Sequence, residues 1–307
     1  MAILNLTDDS FSGDGVGGDV ELALQRAAQA VADGADIIDV GGESARADAP
    51  VRDAGEEAAI VADVVRRIAG EIDVAISVDT YKPDVAEAAL QAGAHIVNDI
   101  AGFKEGAGTA EAAARHGAAI VVNYTYERPK VRPSAPPVYG DLIAEHLAFL
   151  RERVEMARAA GVAEESIIVD PGIAFGKSHD EDLEVLRRLP EFRALGRPIL
   201  VAASRKHFIG SVTGLPVAER DGASAAVAAL SVAGGADIVR VHDVRSTVRA
   251  VRMADAIVRG RLGDRAATDA SWPWAADAEA VAGTRISETR IAETRDAGRE
   301  SEKRDAD

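Results

Sequence analysis

The sequence predicts an α/β fold: a closed (β/α)8 barrel of the TIM type, followed by a polar C-terminal tail. Three observations predict it. Short apolar runs alternate with amphipathic stretches along most of the 307 residues. Eight such runs can be counted. Nearly every run ends, on its C-terminal side, in a charged, amide or hydroxyl residue. Strand–helix alternation implies parallel pairing with right-handed crossovers. Eight units suit a closed barrel, whose chemistry gathers at the C-terminal strand ends.

The strands are expected at Ala2–Leu6, Ile37–Val40, Ala75–Val78, Ile96–Asn98, Ala119–Asn123, Ile167–Val169, Ile199–Ala203 and Ile238–Val241. The helices are expected over 19–33, 53–69, 83–92, 109–116, 141–160, 180–189, 222–234 and 244–259. In the first helix, Val20, Leu24, Ala27, Ala28 and Val31 recur at i, i+3, i+4 spacing, the mark of one buried face.

The first loop contains Gly13-Asp14-Gly15-Val16-Gly17-Gly18, which matches G-x-G-x-x-G. That pattern alone has little specificity for a dinucleotide. A dinucleotide fold needs one special glycine loop, whereas several loops here are chemically loaded. The glycines are read instead as a mobile first loop able to close over a site.

The barrel domain is expected to span 1–262. Residues 263–307 contain the near-repeat TRISE-TRIAE-TRDAG and alternating charge, with few large apolar residues. Such composition cannot bury a core, so a solvated, disordered tail is expected.

Composition narrows the function classes. The net charge is −16, with 47% hydrophobic and 4% aromatic residues. The core must use small and branched side chains, and an acidic surface disfavours nucleic acid. There is no Cys, which removes thiolate metal sites and Cys nucleophiles. No apolar run reaches the roughly 18 residues of a membrane span, and no signal peptide is recognised at the N-terminus. A cytoplasmic protein without membrane or nucleic-acid partners is expected.

The strand ends carry the chemistry. Strand 1 ends in Asn5, with Thr7 and Asp9 beyond, and strand 2 ends in Gly41-Gly42-Glu43-Ser44, then Arg46. Asp79-Thr80, Asn98-Asp99, Asn123, Asp170-Pro171-Gly172, Ser204-Arg205-Lys206 and Arg240 with His242 follow. Each has an ordinary reading: Asp79 or Thr80 as a helix cap, Asp170-Pro171-Gly172 as a turn, Arg240 as a salt-bridged barrel residue. Gathered at one rim they read as a site. Arg46, Arg240 and His242 suit a phosphate, since the guanidinium fork donates two parallel hydrogen bonds. Asn5 and Asp9 offer hard oxygen ligands for a Mg²⁺ that keeps most of its waters. Asp79, Asn98, Asp170 and Lys206 offer donors and acceptors for a flat polar heterocycle, the carboxylates suiting a guanidine-like edge.

These motifs resemble those of the dihydropteroate synthases over nearly all of residues 1–262. ILNLTDDSFSGDG, DIIDVGGESAR, ISVDT, HIVNDI, IIVDPGIAFGK, SRKHFIG and IVRVHDV stand in that family's order. The resemblance implies a transferase of folate biosynthesis. It would condense 6-hydroxymethyl-7,8-dihydropterin pyrophosphate with p-aminobenzoate, with Mg²⁺, in a cytoplasmic homodimer. It implies pterin contacts from Asp79, Asn98, Asn123, Asp170 and Lys206, and pyrophosphate contacts from Asn5, Arg46, Arg240 and His242. It implies p-aminobenzoate contacts from Arg46, Phe175, Lys206 and His207, with Asn5 and Asp9 on the metal. Asp79, Lys206 and Arg240 carry the catalytic expectation, and Ala substitution of Lys206 or Arg240 is expected to abolish turnover and spare the fold.

Several positions depart from the family pattern. Ala45, Arg46 and Ala47 follow GGES where Thr and Arg-Pro are usual. Asn123-Tyr124-Thr125 replaces Met-His-Met, Asp8 replaces Pro, and His207 replaces Ser. The changes touch the second substrate most. The alternatives they leave are a relative with a different arylamine or pterin, one without turnover, or a pterin-binding methyltransferase domain. The last would need no pyrophosphate clamp.

Overall fold

The computed structural model describes residues 1–7, 15–44, 49–131 and 137–260. Asp9, Arg46, Gly13 and the tail at 263–307 lie outside the described residues. Six strands form one continuous parallel sheet in sequence order: β1 (Ala2–Asn5), β2 (Ile37–Gly41), β3 (Ala75–Asp79), β4 (Ile96–Asp99), β5 (Ala119–Asn123) and β6 (Ile167–Asp170). β7 (Leu200–Val201) pairs with β8 (Ile238–Val239). Parallel bridges Val169↔Ile199 and Ala2↔Val241 join this pair to both edges of the sheet. The Ile3 N–H donates to the Val241 carbonyl and the Val241 N–H to the Met1 carbonyl, both at 3.0 Å. The barrel is closed, as the alternation predicts.

The helices are α1 (Val20–Ala32), α2 (Ala54–Glu71), α3 (Pro83–Ala92), α4 (Gly108–His116), α5 (Leu142–Ala159), α6 (His179–Arg187), α7 (His207–Thr213), α8 (Asp221–Ala233) and α9 (Val244–Arg259). Starts are set by side chains that satisfy orphan N–H groups. Asp19, Asp53 and Asp141 cap α1, α2 and α5. Ser178 and Glu181 form a reciprocal capping box on α6. Among the described residues no helix is long and apolar enough to cross a membrane.

Two expectations need correction. β7 and β8 are shorter than Ile199–Ala203 and Ile238–Val241. Their ladder stops where the chain turns at Ala203–Lys206 and where the Ser204 hydroxyl accepts the His242 N–H at 3.2 Å. A further helix, α7, stands between β7 and α8. Seven residues containing Gly210 are too few to show a helical period.

Strand alternation sorts the interior into two apolar layers. Outward residues such as Val97, Ile120, Val122 and Val169 pack against the helices, where Ala86, Ala89, Ala110 and Ala113 admit close approach. Inward residues Met1, Ile96, Val121, Ile168 and Leu200 fill the barrel's lower half. Two residues further along the same strand faces stand Asn98, Asn123 and Asp170. An apolar plug therefore supports a polar layer at the C-terminal rim.

Candidate active site

The polar layer opens into a cavity of about 430 Å³. Asp79, Asn98, Asn123, Asp170 and Lys206 line it, as do Asn5, Phe175, His207, Arg240 and His242. Every described residue to which the sequence gives a substrate contact thus reaches one cavity.

Arg240 organises its floor. Its Nε donates to Asp39 Oδ2 at 2.5 Å and its Nη2 to Asp79 Oδ2 at 2.6 Å. The Asn98 Nδ2 donates to the same Asp39 oxygen at 3.2 Å. Asp79 is therefore an ion-pair partner and no helix cap; α3 has no side-chain cap, and Thr80 Oγ1 accepts the N–H of Lys82, just before the helix, at 3.1 Å. Arg240 is both salt-bridged and site-lining, with N–H groups left over for a ligand. Burial outweighs the guanidinium at Asp79 and pushes its carboxyl up to about 7. The two carboxylates in turn hold Arg240 firmly charged.

Asp170, at the end of β6, accepts the Gly172 N–H at 2.7 Å, so it also performs its turn role. Burial raises its carboxyl against the pull of Lys206. The Lys206 ammonium donates to the Ile173 carbonyl and lies 4.8 Å from the centre of the Phe175 ring. Burial lowers it to about 8, opposed mainly by Asp170. The Ser204 Oγ lies 2.9 Å from His242 Nδ1, which orients that imidazole at the rim.

Some neighbours are structural. Arg205 forks onto Asp221 at 2.6 and 2.8 Å. Asp99 binds the Thr109 hydroxyl at 2.6 Å and the Ala101 N–H at 2.8 Å, and burial pushes its carboxyl up to about 6. Asn123 donates its Nδ2 to the Ile100 carbonyl at 3.0 Å, while its Oδ1 has no protein partner.

Two groups escaped the sequence reading. Asp39 is fully buried. Its only signal was its place on the inward face of DIIDV, two residues before Gly41. Lys82 was also missed. Its Nζ donates to Glu43 and Glu57 at 2.6 Å each and to the Arg52 carbonyl at 2.7 Å, tying the GGES segment to α2. Gly42 permits this, because a Cβ there would meet Glu57 Cγ at 2.6 Å.

Residues 1–242 match the family model of pterin binding enzymes. The dihydropteroate synthase of Bacillus subtilis (strain 168) is 45% identical over 258 residues, covering 84% of this chain and 88% of the relative. Two solved structures of dihydropteroate synthases are 38% identical to the chain. The one from Clostridium difficile, with pteroic acid, has a TM-score of 0.76 and covers 84% of this chain and 96% of its own. The one from Thermus thermophilus, with 4-aminobenzoate, has a TM-score of 0.73 and covers 84% and 93%.

Proposed function

The chain belongs to the dihydropteroate synthases, within the pterin-binding enzymes, and from this premise we propose how its residues share the reaction. The enzyme condenses 6-hydroxymethyl-7,8-dihydropterin pyrophosphate with p-aminobenzoate, giving dihydropteroate and pyrophosphate. One observation carries the assignment of roles. Asp79, Asn98 and Asp170 from three strand ends, with Lys206 and Arg240 from the segments that follow two more strands, converge on one cavity, beside Phe175 and His207.

Asp170, Asn98 and Asp79 take the N–H groups of the pterin, and Lys206 donates to its acceptors. When the bond from the methylene carbon to pyrophosphate breaks, the electron pair leaves with oxygen. Asp79 and Asp170 oppose the positive charge left on the pterin methylene, in surroundings that strengthen each interaction. Arg240 and His242, with Asn5 and Arg46, receive the departing anion. The amine of p-aminobenzoate, held by Phe175, Lys206, His207 and Arg46, attacks the methylene carbon and loses a proton.

We infer that Mg²⁺ serves the reaction at the mouth. Asn5 supplies a hard amide oxygen there, and with Asp9 it would hold the ion. Among the described residues no group of three or more His, Asp or Glu stands ready to hold a metal alone. A Mg²⁺ that keeps waters and phosphate oxygens suits such a donor set. Bound there, it would neutralise charge on the pyrophosphate. We place the reaction in the cytoplasm and in a homodimer, the latter checked by sedimentation.

The test is pyrophosphate release with Mg²⁺ and the pterin pyrophosphate, with and without p-aminobenzoate. Amine-dependent release and a product of dihydropteroate mass are expected. Pterin binding with no amine-dependent release would turn the assignment toward another arylamine.

A further inference from the structure

One buried carboxylate beside the site has no place in this scheme. Asp182, on α6, is 1% exposed and lies outside the cavity lining. Its Oδ1 accepts the Ala174 N–H at 2.7 Å. Ala174 stands between the two residues that seat Lys206. The Ile173 carbonyl accepts from the Lys206 ammonium, and the Phe175 ring lies 4.8 Å from it.

The turn that carries them is strained. Ala174 has φ +68°, in the left-handed region, with Gly172 at +69° and Gly176 at +78° on either side. A non-glycine residue there costs about 1 kcal/mol or more and persists only where its surroundings hold it. Several contacts do so. The Tyr139 hydroxyl donates to the Gly176 carbonyl at 2.5 Å, and the Phe175 N–H to the Gly172 carbonyl at 3.0 Å. Lys177 points back to the Phe175 carbonyl at 3.4 Å and to His146 Nε2 at 3.3 Å. Asp182 grips the strained residue itself, and it does so with a charge-assisted bond.

We propose that Asp182 is a positioning residue for Lys206. It fixes the Ile173–Phe175 turn against which the ammonium is seated, and with Asp170 it sets the negative field around that ammonium. The proposal rests on the reading of Lys206 as a group that meets the substrates.

The groups facing Lys206 are Asp170 from β6, Asp79 from β3, Asp182 from α6 and, with opposite effect, Arg240 from the end of β8. Lys177 adds a second repelling cation. Burial has already lowered Lys206 to about 8. Removing the Asp182 charge therefore moves it lower still.

Two variants separate grip from charge. Asp182→Asn retains an oxygen acceptor and loses the charge. Its alkaline limb of kcat/KM is expected about half a pH unit or more below that of the wild type, with the KM for p-aminobenzoate little changed. Asp182→Ala loses both, and its KM is expected to rise about tenfold for p-aminobenzoate and to rise also for the pterin pyrophosphate, since Lys206 meets both substrates. The chain has only six lysines, so a ¹³Cε-lysine NMR titration of the full chain, assigned with Lys206→Ala, reads the Lys206 shift with no substrate present. A Lys206 titration in Asp182→Asn that superimposes on the wild type overturns the proposal, even if Asp182→Ala fails to fold. Failure to form dihydropteroate with a shifted titration would count against the functional reading and leave Asp182's role standing.

Discussion

Arg240 Nη2 donates to Asp79 Oδ2 at 2.6 Å across the mouth of the barrel, while Nε of the same guanidinium neutralises the fully buried Asp39. One side chain thus pairs a carboxylate that lines the cavity with one that lies outside its lining.

This coupling revises the simplest mutational expectation. Arg240→Ala removes the anion contact, and turnover should fall by at least about 100-fold, the usual scale for a lost charge-stabilising donor. It also strands Asp39 in the interior, which costs about 3–5 kcal/mol. Activity and the urea midpoint should therefore fall together. Lys206→Ala should lower turnover with a smaller change in midpoint.

The pH profile follows from two buried groups. Asp79 is raised to about 7 and Lys206 lowered to about 8. The scheme needs Asp79 ionised, so activity falls as pH drops through the Asp79 value. It needs Lys206 charged, so activity falls as pH rises through the Lys206 value. A narrow bell in kcat/KM, centred between the two, is expected in steady-state assays. A profile flat from about pH 6 to about pH 9 would contradict these roles.

Lys82 has two buried carboxylate partners, Glu43 and Glu57, each at 2.6 Å. Lys82→Met strips Glu57 of its ion-pair partner and leaves Glu43 to Lys130 at 3.7 Å, the Tyr81 hydroxyl and the Arg52 N–H. A loss of about 3 kcal/mol in unfolding free energy is expected, since a broken buried pair leaves uncompensated charge. Chemical denaturation at neutral pH measures it. Because Glu43 belongs to the GGES segment, the KM for the pterin pyrophosphate should rise as well.

Gly172 is held at φ +69°, and a Cβ there would stand 1.9 Å from the Tyr124 carbonyl oxygen. Gly172→Ala must therefore displace either β5's end or the turn bearing Phe175. A loss of more than about 2 kcal/mol is expected from the combined clash and backbone strain. Thermal unfolding reads the first effect, and a raised KM for p-aminobenzoate reads the second.

The barrel was legible because inward and outward residues of each strand differ in kind. In Ile96-Val97-Asn98 the same face turns from apolar to polar at the rim, and that change marks the site. Lys206 and Arg240 were legible only in company: each has an ordinary reading alone, and their gathering with other polar residues at one rim marked the site. Asp182 was not, because an Asp in the first turn of a helix is common and its partner is a backbone N–H eight residues away. Asp39 was hidden for a related reason. Alternation places it inward, but only the closure of β8 against β1 brings Arg240 to its level. Helix α7 was lost to its shortness.

The apolar plug of Met1, Ile96, Val121, Ile168 and Leu200 has an evolutionary consequence. It anchors the scaffold beneath the reacting groups, so the rim can drift without eroding the foundation. Asn123 and His207, two of the departures from the family pattern, belong to this upper storey. A change at the rim can therefore alter what the cavity accepts, whereas a change in the plug must first preserve its shape.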